Sequence, residues 1–123
     1  MNVVLVGAPA LRARLRAQMN GSATIVGEFA SLGSAQAAKL SVDAFVLAAE
    51  GTNGEDIVET LTPREIQVLE LLTEGRSNKA IGERLGISDQ TVKYHVAAIA
   101  GKLGAVNRTD AVRLAIRRGI VSV

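Results

Sequence analysis

Apolar positions follow two different patterns along this 123-residue chain, and the change comes near its middle. Up to about residue 50, short apolar runs such as NVVLV at 2–6 and DAFVLAA at 43–49 alternate with amphipathic stretches. From residue 61 onward, apolar residues recur at helical spacing, as at Ile66, Leu69 and Leu72. Short apolar runs bounded by turn residues predict buried strands, whereas the later spacing predicts helices. The sequence therefore predicts an α/β first half and an all-α second half.

The first half has the order βαβαβ. We predict strands at 2–6, 23–29 and 43–49, a first helix after Pro9 with Leu11 and Leu15 inside, and a second helix at 31–40. Apolar strands in this order imply parallel pairing, helices on the faces of the sheet and right-handed crossovers. The third strand would leave an apolar edge, and self-association would cover it.

Gly51, Asn53 and Gly54 open a polar stretch between the two halves. Such a composition is typical of a mobile linker between separate modules. The predicted organisation is therefore an α/β domain at 1–50, a linker at 51–60 and a helical domain at 61–123.

Local signals divide the second half into four short helices. Thr62, Pro63 and Glu65 predict a capping box at the start of the first helix, and Gly75 predicts its end. Further boundaries are predicted at the Ser77 cap, at the turn Gly86-Ile87-Ser88, near Leu103, and at a cap from Asn107, Thr109 or Asp110. Two helices joined by a short glycine-containing turn predict a helix-turn-helix, whose second helix reads duplex DNA.

The segments LTPRE, SNKAIGERLGIS, TVKYHV and KLGAVNRTDAV, in this order, resemble the DNA-binding domain of LuxR-type regulators, also called the GerE or NarL/FixJ class. The resemblance implies that the third helix is the recognition helix and that the fourth commonly forms a dimer contact. By position, it implies that phosphate contacts, or support for them, come from Lys79, Thr91, Lys93 and His95. It implies that Lys93, Tyr94 and Ala97 face base edges.

The sequence departs from the LuxR-type pattern at several positions. Gly82 replaces a usual alanine, at roughly 1 kcal/mol in helix propensity. Ala80 stands where glutamate is frequent, and Ala97 and Ala98 stand where many relatives carry polar or basic side chains. Fewer donors on the third helix predict looser sequence choice.

The first half resembles the opening of a response-regulator receiver domain, a flavodoxin-like fold, in its alternation and in phrases such as IVGEFAS. Receivers hold magnesium with an acidic pair after the first strand, because hard cations take oxygen ligands. Here Gly7 and Ala8 occupy those positions, and Ala48 occupies that of the phospho-accepting aspartate. The sequence therefore predicts no phosphoacceptor and no phosphotransfer. Glu50 could imitate a phosphorylated side chain, although a solvated carboxylate is the favoured interpretation.

Charge separates the two halves. Residues 62–123 hold ten basic and six acidic residues, a net charge of +4, whereas residues 1–61 hold four basic and six acidic residues, a net charge of −2. A basic second half favours contact with phosphates. Tyr94 is the only tyrosine, so no aromatic platform for single strands is predicted. With one histidine and no cysteine, we expect no metal site and no cofactor.

No apolar run reaches the roughly 20 residues of a membrane span, and no secretory signal opens the chain. We therefore expect a cytoplasmic protein without membrane contact. The hypothesis is a homodimeric, phosphorylation-independent DNA-binding transcriptional regulator that dimerises through its receiver-like domain. The alternative is a protein-interaction modulator that forms mixed dimers with another regulator. An enzyme is a third possibility, but the sequence offers no catalytic constellation for it.

Overall fold

The computed structural model describes residues 1–19, 21–50 and 56–121, without the side chains of Glu50 and Asp56. The chain divides into two compact units, Met1–Pro63 and Arg64–Val123. The predictions for residues 51–55 and for the side chain of Glu50 lie outside this description. The first unit contains β1 (Asn2–Val6), α1 (Pro9–Gln18), β2 (Thr24–Phe29), α2 (Leu32–Ala37), β3 (Ala44–Glu50) and β4 (Asp56–Leu61).

The first unit is built on a four-stranded sheet in the order β2-β1-β3-β4. β1 pairs in parallel with both β2 and β3, as the βαβαβ pattern predicts. The order 2-1-3 is that with which a flavodoxin-like sheet begins. The predicted α/β fold of this half is confirmed.

Alternation along the strands gives each face of the sheet its own helix. On one face, Leu11 and Leu15 of α1 join a buried cluster with alternate strand residues, namely Val3, Leu5, Ala44, Val46 and Ala48. On the other face of the sheet, α2 packs on β2 and β1 and buries Leu32 and Ala35. Since successive strand residues point to opposite faces, apolar strands of this kind require both layers.

The prediction of a linker is wrong for residues 56–60. Asp56–Leu61 forms β4, which pairs antiparallel with β3 over six residues, from Glu50 opposite Asp56 to Phe45 opposite Leu61. Buried strands need partners for their backbone polar groups, and β4 supplies them along β3. The edge of β3 that was expected to be bare is therefore covered, and Thr62 alone separates β4 from the next helix.

The second unit contains α3 (Pro63–Thr73), α4 (Asn78–Leu85), α5 (Asp89–Leu103) and α6 (Arg108–Arg117). The predicted four-helix fold is confirmed. Its centre is a set of side chains with no exposed surface, contributed by α3, α4 and α5: Ile66, Val68, Leu69, Ile81, Val92 and Ile99. Within the described residues, no helix is long and apolar enough to cross a membrane.

Helix starts in this unit follow the predicted capping chemistry. The Ser77 hydroxyl accepts from the Ala80 N–H at 3.2 Å, and the Ser88 hydroxyl accepts from the Thr91 N–H at 3.1 Å. Of the three candidates for the last helix, Asn107 is the cap, and its Oδ1 accepts from the Asp110 N–H at 2.8 Å. These bonds satisfy donors that a helix start would otherwise leave unpaired.

Candidate nucleic-acid interface

The candidate interface is the outer face of α5, which comprises Gln90, Lys93, Tyr94, Ala97 and Ala98. All five residues are exposed, and Tyr94 has 67% of its surface accessible. Residues three and four positions apart share one side of a helix, so these five form a continuous surface. The opposite side of α5 is buried through Val92, Ile99 and Leu103. The buried side of α5 therefore holds the helix in place while its outer face stays exposed to solvent.

The structure gathers the six predicted site residues around the start of α5. Lys93, Tyr94 and Ala97 lie on the outer face of α5, while Thr91 and His95 are half-buried one turn apart at its border. Lys79 is exposed in the first turn of α4 and lines a depression that Ser88 and Asp89 also line. The Thr91 Oγ1 lies 2.8 Å from the Ser88 Oγ, which fixes the threonine side chain beside the turn.

Two lysine ammonium groups at this surface form no ion pair within the part of the chain that the structure describes. Neither Lys79 nor Lys93 takes part in an ion pair or hydrogen bond there, whereas Lys102 is bonded to Glu65 and Arg113 to Asp110. The depression at Lys79 also contains Glu83, so its charge is mixed. Lys93 is thus the clearest available cation on α5.

A partly buried ion pair, absent from the sequence predictions, joins α5 to α3. The Lys102 Nζ donates to the Glu65 Oε1 at 2.6 Å, and 6% of the Glu65 side chain is accessible against 38% for Lys102. Sequence reasoning gave Glu65 only a capping role. The two residues stand 37 positions apart, so no local signal connects them.

Arg108 ties the start of α6 to the segment before α4, which is a second link that sequence reasoning missed. Its Nη1 donates to the Asn78 Oδ1 at 2.8 Å, and its Nη2 donates to the Arg76 carbonyl at 2.7 Å. The planar guanidinium suits two acceptors at once. Arg108 is therefore committed to structure rather than available to a phosphate.

Gly82 has a packing role beyond its low helix propensity. Its carbonyl accepts from the Ile87 N–H at 3.0 Å. A Cβ on Gly82 would lie 2.6 Å from the Ile87 carbonyl oxygen, which is closer than real Cβ contacts allow. Glycine thus lets the turn before α5 sit directly against α4. The sequence-based view of Gly82 as a simple loss of stability is incomplete.

The carboxylate of Asp110 supports the start of α6. The Val106 N–H donates to its Oδ2 at 3.0 Å, and Arg113 donates to its Oδ1. The hydrogen bond from Val106, followed by that from Arg113, holds the pKa of Asp110 below its ordinary value of 3.8. Bonds to the charged form favour that form.

Gly7 and Ala48, which the receiver resemblance assigns to an acidic pocket, meet between β1 and β3 and carry no carboxylate. Gly7 has a φ of +145°, and a Cβ on it would lie 2.6 Å from the Ala48 carbonyl oxygen. The backbone therefore approaches so closely that even a methyl group at position 7 has no room. The space between Gly7 and Ala48 therefore cannot hold the side chains of an acidic cluster.

Comparison with known proteins agrees with the geometry of the helical unit. Residues 59–115 match the family model for GerE, described as bacterial regulatory proteins of the luxR family. The uncharacterized transcriptional regulatory protein YxjL of Bacillus subtilis is 44% identical over 69% of this chain and 38% of its own length. The transcriptional activator protein BjaR1 of Bradyrhizobium diazoefficiens is 52% identical over 50% of this chain and 26% of its own length.

A solved structure of the transcription factor GerE shares 37% sequence identity over 50% of this chain and 92% of that chain, with a TM-score of 0.48. The match to the family model covers most of the four-helix unit, including its exposed α5. Residues 59–115 thus carry a helix-turn-helix domain of the luxR family. The chain spans between about a quarter and two fifths of the length of the two curated relatives.

Proposed function

We propose that this protein is a homodimeric transcriptional regulator that binds duplex DNA by placing α5 in the major groove. The observation that carries the proposal is the outer face of α5, where Lys93 has no ion-pair partner among the described residues and Tyr94 is exposed opposite the buried side of the helix. A helix presented in this way, after a short turn from its neighbour, has the geometry with which helix-turn-helix proteins enter the groove. The proposal gives the chain no catalytic role and places it in the cytoplasm, where bacterial DNA lies.

Each site residue has a part in this proposal. Lys79, Thr91, Lys93 and His95 hold phosphates or support the groups that do, and Lys93, Tyr94 and Ala97 face base edges. The Gln90 amide, exposed on the same face, can offer a donor and an acceptor to a base. Ala97 and Ala98 offer neither. Phosphate contacts therefore supply most of the affinity, and sequence discrimination is modest.

Control by phosphorylation has no place in this proposal. The close approach between Gly7 and the Ala48 carbonyl supports that view, because it fills the space where a receiver keeps its acidic residues. The first unit, which contains Gly7 and Ala48, forms the dimer contact, so that the two helical domains of the dimer bind one DNA site. The sequence argument for dimerisation pointed to the edge of β3, but with β4 in place the open edge is that of β4.

Mixed dimerisation with another regulator is the second candidate function. The exposed Ala97 and Ala98 favour it, because a recognition helix poor in donors suits a subunit that modulates the DNA binding of its partner. In that case the chain would contribute an interface and little DNA affinity of its own.

Titration of the pure protein into a labelled duplex at about 50 mM and 200 mM salt separates the two candidates. A dimer that neutralises six or more phosphates loses roughly a thousandfold in affinity over that range. We also expect a duplex with half-sites about 10 base pairs apart to bind better than one spaced by half a turn more. A pure chain with no salt-dependent affinity for any duplex would favour the mixed-dimer function.

A further inference from the structure

The outer edge of β4 lacks several of the features that keep strand edges from pairing. Within the described residues, β4 has β3 as its single strand neighbour, and the pairing runs through all six residues without a register shift. Natural edge strands are blunted by lysine, proline, bulges or inward-pointing charges. The segment DIVETL contains no lysine or proline and pairs with β3 without a bulge, and Glu59 is its one buried charged residue among the described side chains. The edge of β4 that faces away from β3 can therefore accept another strand.

One apolar side chain on this edge is open to solvent. Val58 lies opposite Ala48 of β3, so it points to the face of the sheet that α1 covers. Ala48 is buried, whereas 45% of Val58 is accessible. Thr60 is exposed on the same face, and Glu59, on the opposite face, is buried. The exposed valine therefore sits at the middle of the open strand.

We propose that β4 pairs antiparallel with β4 of a second copy of this chain, with the twofold axis at Val58. In a twofold antiparallel pair, directly opposite residues lie on the same face, so the axis must pass through a residue position. Within Asp56–Leu61, an axis at Val58 or at Glu59 aligns the longest stretches. An axis at Glu59 would set two like charges opposite each other, which is destabilising.

The axis at Val58 gives the more favourable set of neighbours. It puts the two exposed valines opposite each other and places Glu59 opposite Ile57, so that the two Glu59 side chains are diagonal neighbours, roughly 7–8 Å apart, instead of directly opposite. Pairing the two valines removes apolar surface from water, which favours the contact. The result is one continuous eight-stranded sheet, made from two four-stranded ones. This inference rests on the proposed homodimer and specifies its contact.

The proposed contact between the two β4 strands, called the joint below, also separates the points at which the two helical units begin. The chain leaves β4 at Leu61 and enters α3 at Pro63. In the Val58 register the two Leu61 residues lie six positions apart along the strand direction, which is roughly 20 Å at ~3.4 Å per residue. The two helix-turn-helix units thus start from opposite ends of the joint, as a twofold DNA site requires.

Two matched substitutions in the full-length chain test the register. Val58→Lys places two lysines opposite each other on the axis, and we expect it to raise the dimer dissociation constant at least tenfold in sedimentation. Thr60→Lys adds the same charge on the same exposed face, but the two new lysines stand about 14 Å apart, beyond the ~10 Å screening length at 0.1 M salt. We expect it to remain dimeric. Circular dichroism of both variants checks folding.

Cross-linking supplies an independent readout, because the chain contains no cysteine. Val58→Cys should form a disulfide-linked dimer under mild oxidation, since directly opposite Cβ atoms lie about 4.5–5.5 Å apart. Val26→Cys is the control, because Val26 is exposed on β2 at the other edge of the sheet. We expect it to cross-link far more slowly.

The outcomes are distinct from those of the DNA experiment. Loss of the dimer in Val58→Lys, with Thr60→Lys dimeric and Val58→Cys cross-linked, supports the joint. A monomeric wild-type chain, a dimeric Val58→Lys variant, or equal cross-linking at positions 58 and 26 would overturn it. A cross-linked Val58→Cys dimer that binds no duplex would contradict the proposed function and leave the joint standing.

Discussion

The Lys102 Nζ donates to the Glu65 Oε1 at 2.6 Å, which fixes the end of α5 against the first turn of α3. The Glu65 carboxylate is buried, whereas Lys102 reaches solvent. The two partners therefore differ in what they lose when the other is removed. A carboxylate left in the interior cannot recover its hydration, but a lysine at the surface can.

Lys102→Met should accordingly destabilise the protein more than Glu65→Gln. We expect about 2–3 kcal/mol for the first, because it leaves a buried charge without its cation. We expect about 1 kcal/mol for the second, because the amide keeps an acceptor and the lysine turns to water. Urea unfolding of both variants measures the difference. Equal losses, or a larger loss for Glu65→Gln, would contradict this account of the pair.

Gly82→Ala and Gly101→Ala should have opposite effects. A Cβ at Gly82 would meet the Ile87 carbonyl at 2.6 Å, whereas one at Gly101 would meet nothing within 4 Å. We expect Gly101→Ala to stabilise by up to about 1 kcal/mol through helix propensity. We expect Gly82→Ala to destabilise by about 1–3 kcal/mol, as overpacking does. Thermal unfolding decides, and a stabilised Gly82→Ala variant would show that the turn moves away without cost.

Rules that act over a few residues predicted much of the helical unit. Ser77 and Ser88 are caps because hydroxyl oxygens can reach the amide three residues on, and the structure has both bonds. Gly75 follows α3 with a φ of +81°, the left-handed conformation that glycine adopts without strain. The six candidate site residues were assigned by the LuxR-type resemblance, and the predicted helix bounds place them on α4 and α5.

Features that depend on distant parts of the chain were missed. The glycines after Glu50 suggested a linker, yet Ile57 and Leu61 belong to a strand whose partner residues lie in β3. Pairing of that kind depends on the edge that β3 offers, which a local pattern does not contain. Likewise, Arg108 finds Asn78 across 30 positions, so its structural use could not be read from its neighbours.

Asp110 should make stability depend on pH in the acid range. Its pKa is lowered in the folded state, first by the hydrogen bond from the Val106 N–H and then by that from Arg113. Its contribution is present above the unfolded value near 3.8 and is lost as the pH falls through the folded pKa. Asp110→Asn should therefore destabilise the protein at pH 7 and match the wild type at strongly acidic pH. Denaturant titrations across pH check this, and a constant difference at every pH would contradict it.

Acetyl phosphate with magnesium should leave the protein unmodified. Gly7 and Ala48 stand where a receiver keeps carboxylates, and the space between them is filled by backbone. Intact-mass spectrometry after treatment should show the unmodified mass, and sedimentation should show an unchanged association state. A stoichiometric acid-labile phosphate would contradict phosphorylation independence. A receiver domain with its acidic residues intact serves as the positive control for the reagent.

The most direct test of DNA binding through α5 is the salt dependence of Lys93→Ala. Each neutralised phosphate contributes about −0.9 to the slope of log affinity against log salt. If Lys93 holds one phosphate per subunit, the slope should flatten by about one unit for each subunit bound, with weaker binding to all duplexes. Lys39→Ala removes the same charge from the first unit and should leave the slope unchanged. Fluorescence anisotropy at several salt concentrations gives both slopes; identical slopes and affinities for wild type and Lys93→Ala would contradict the central claim.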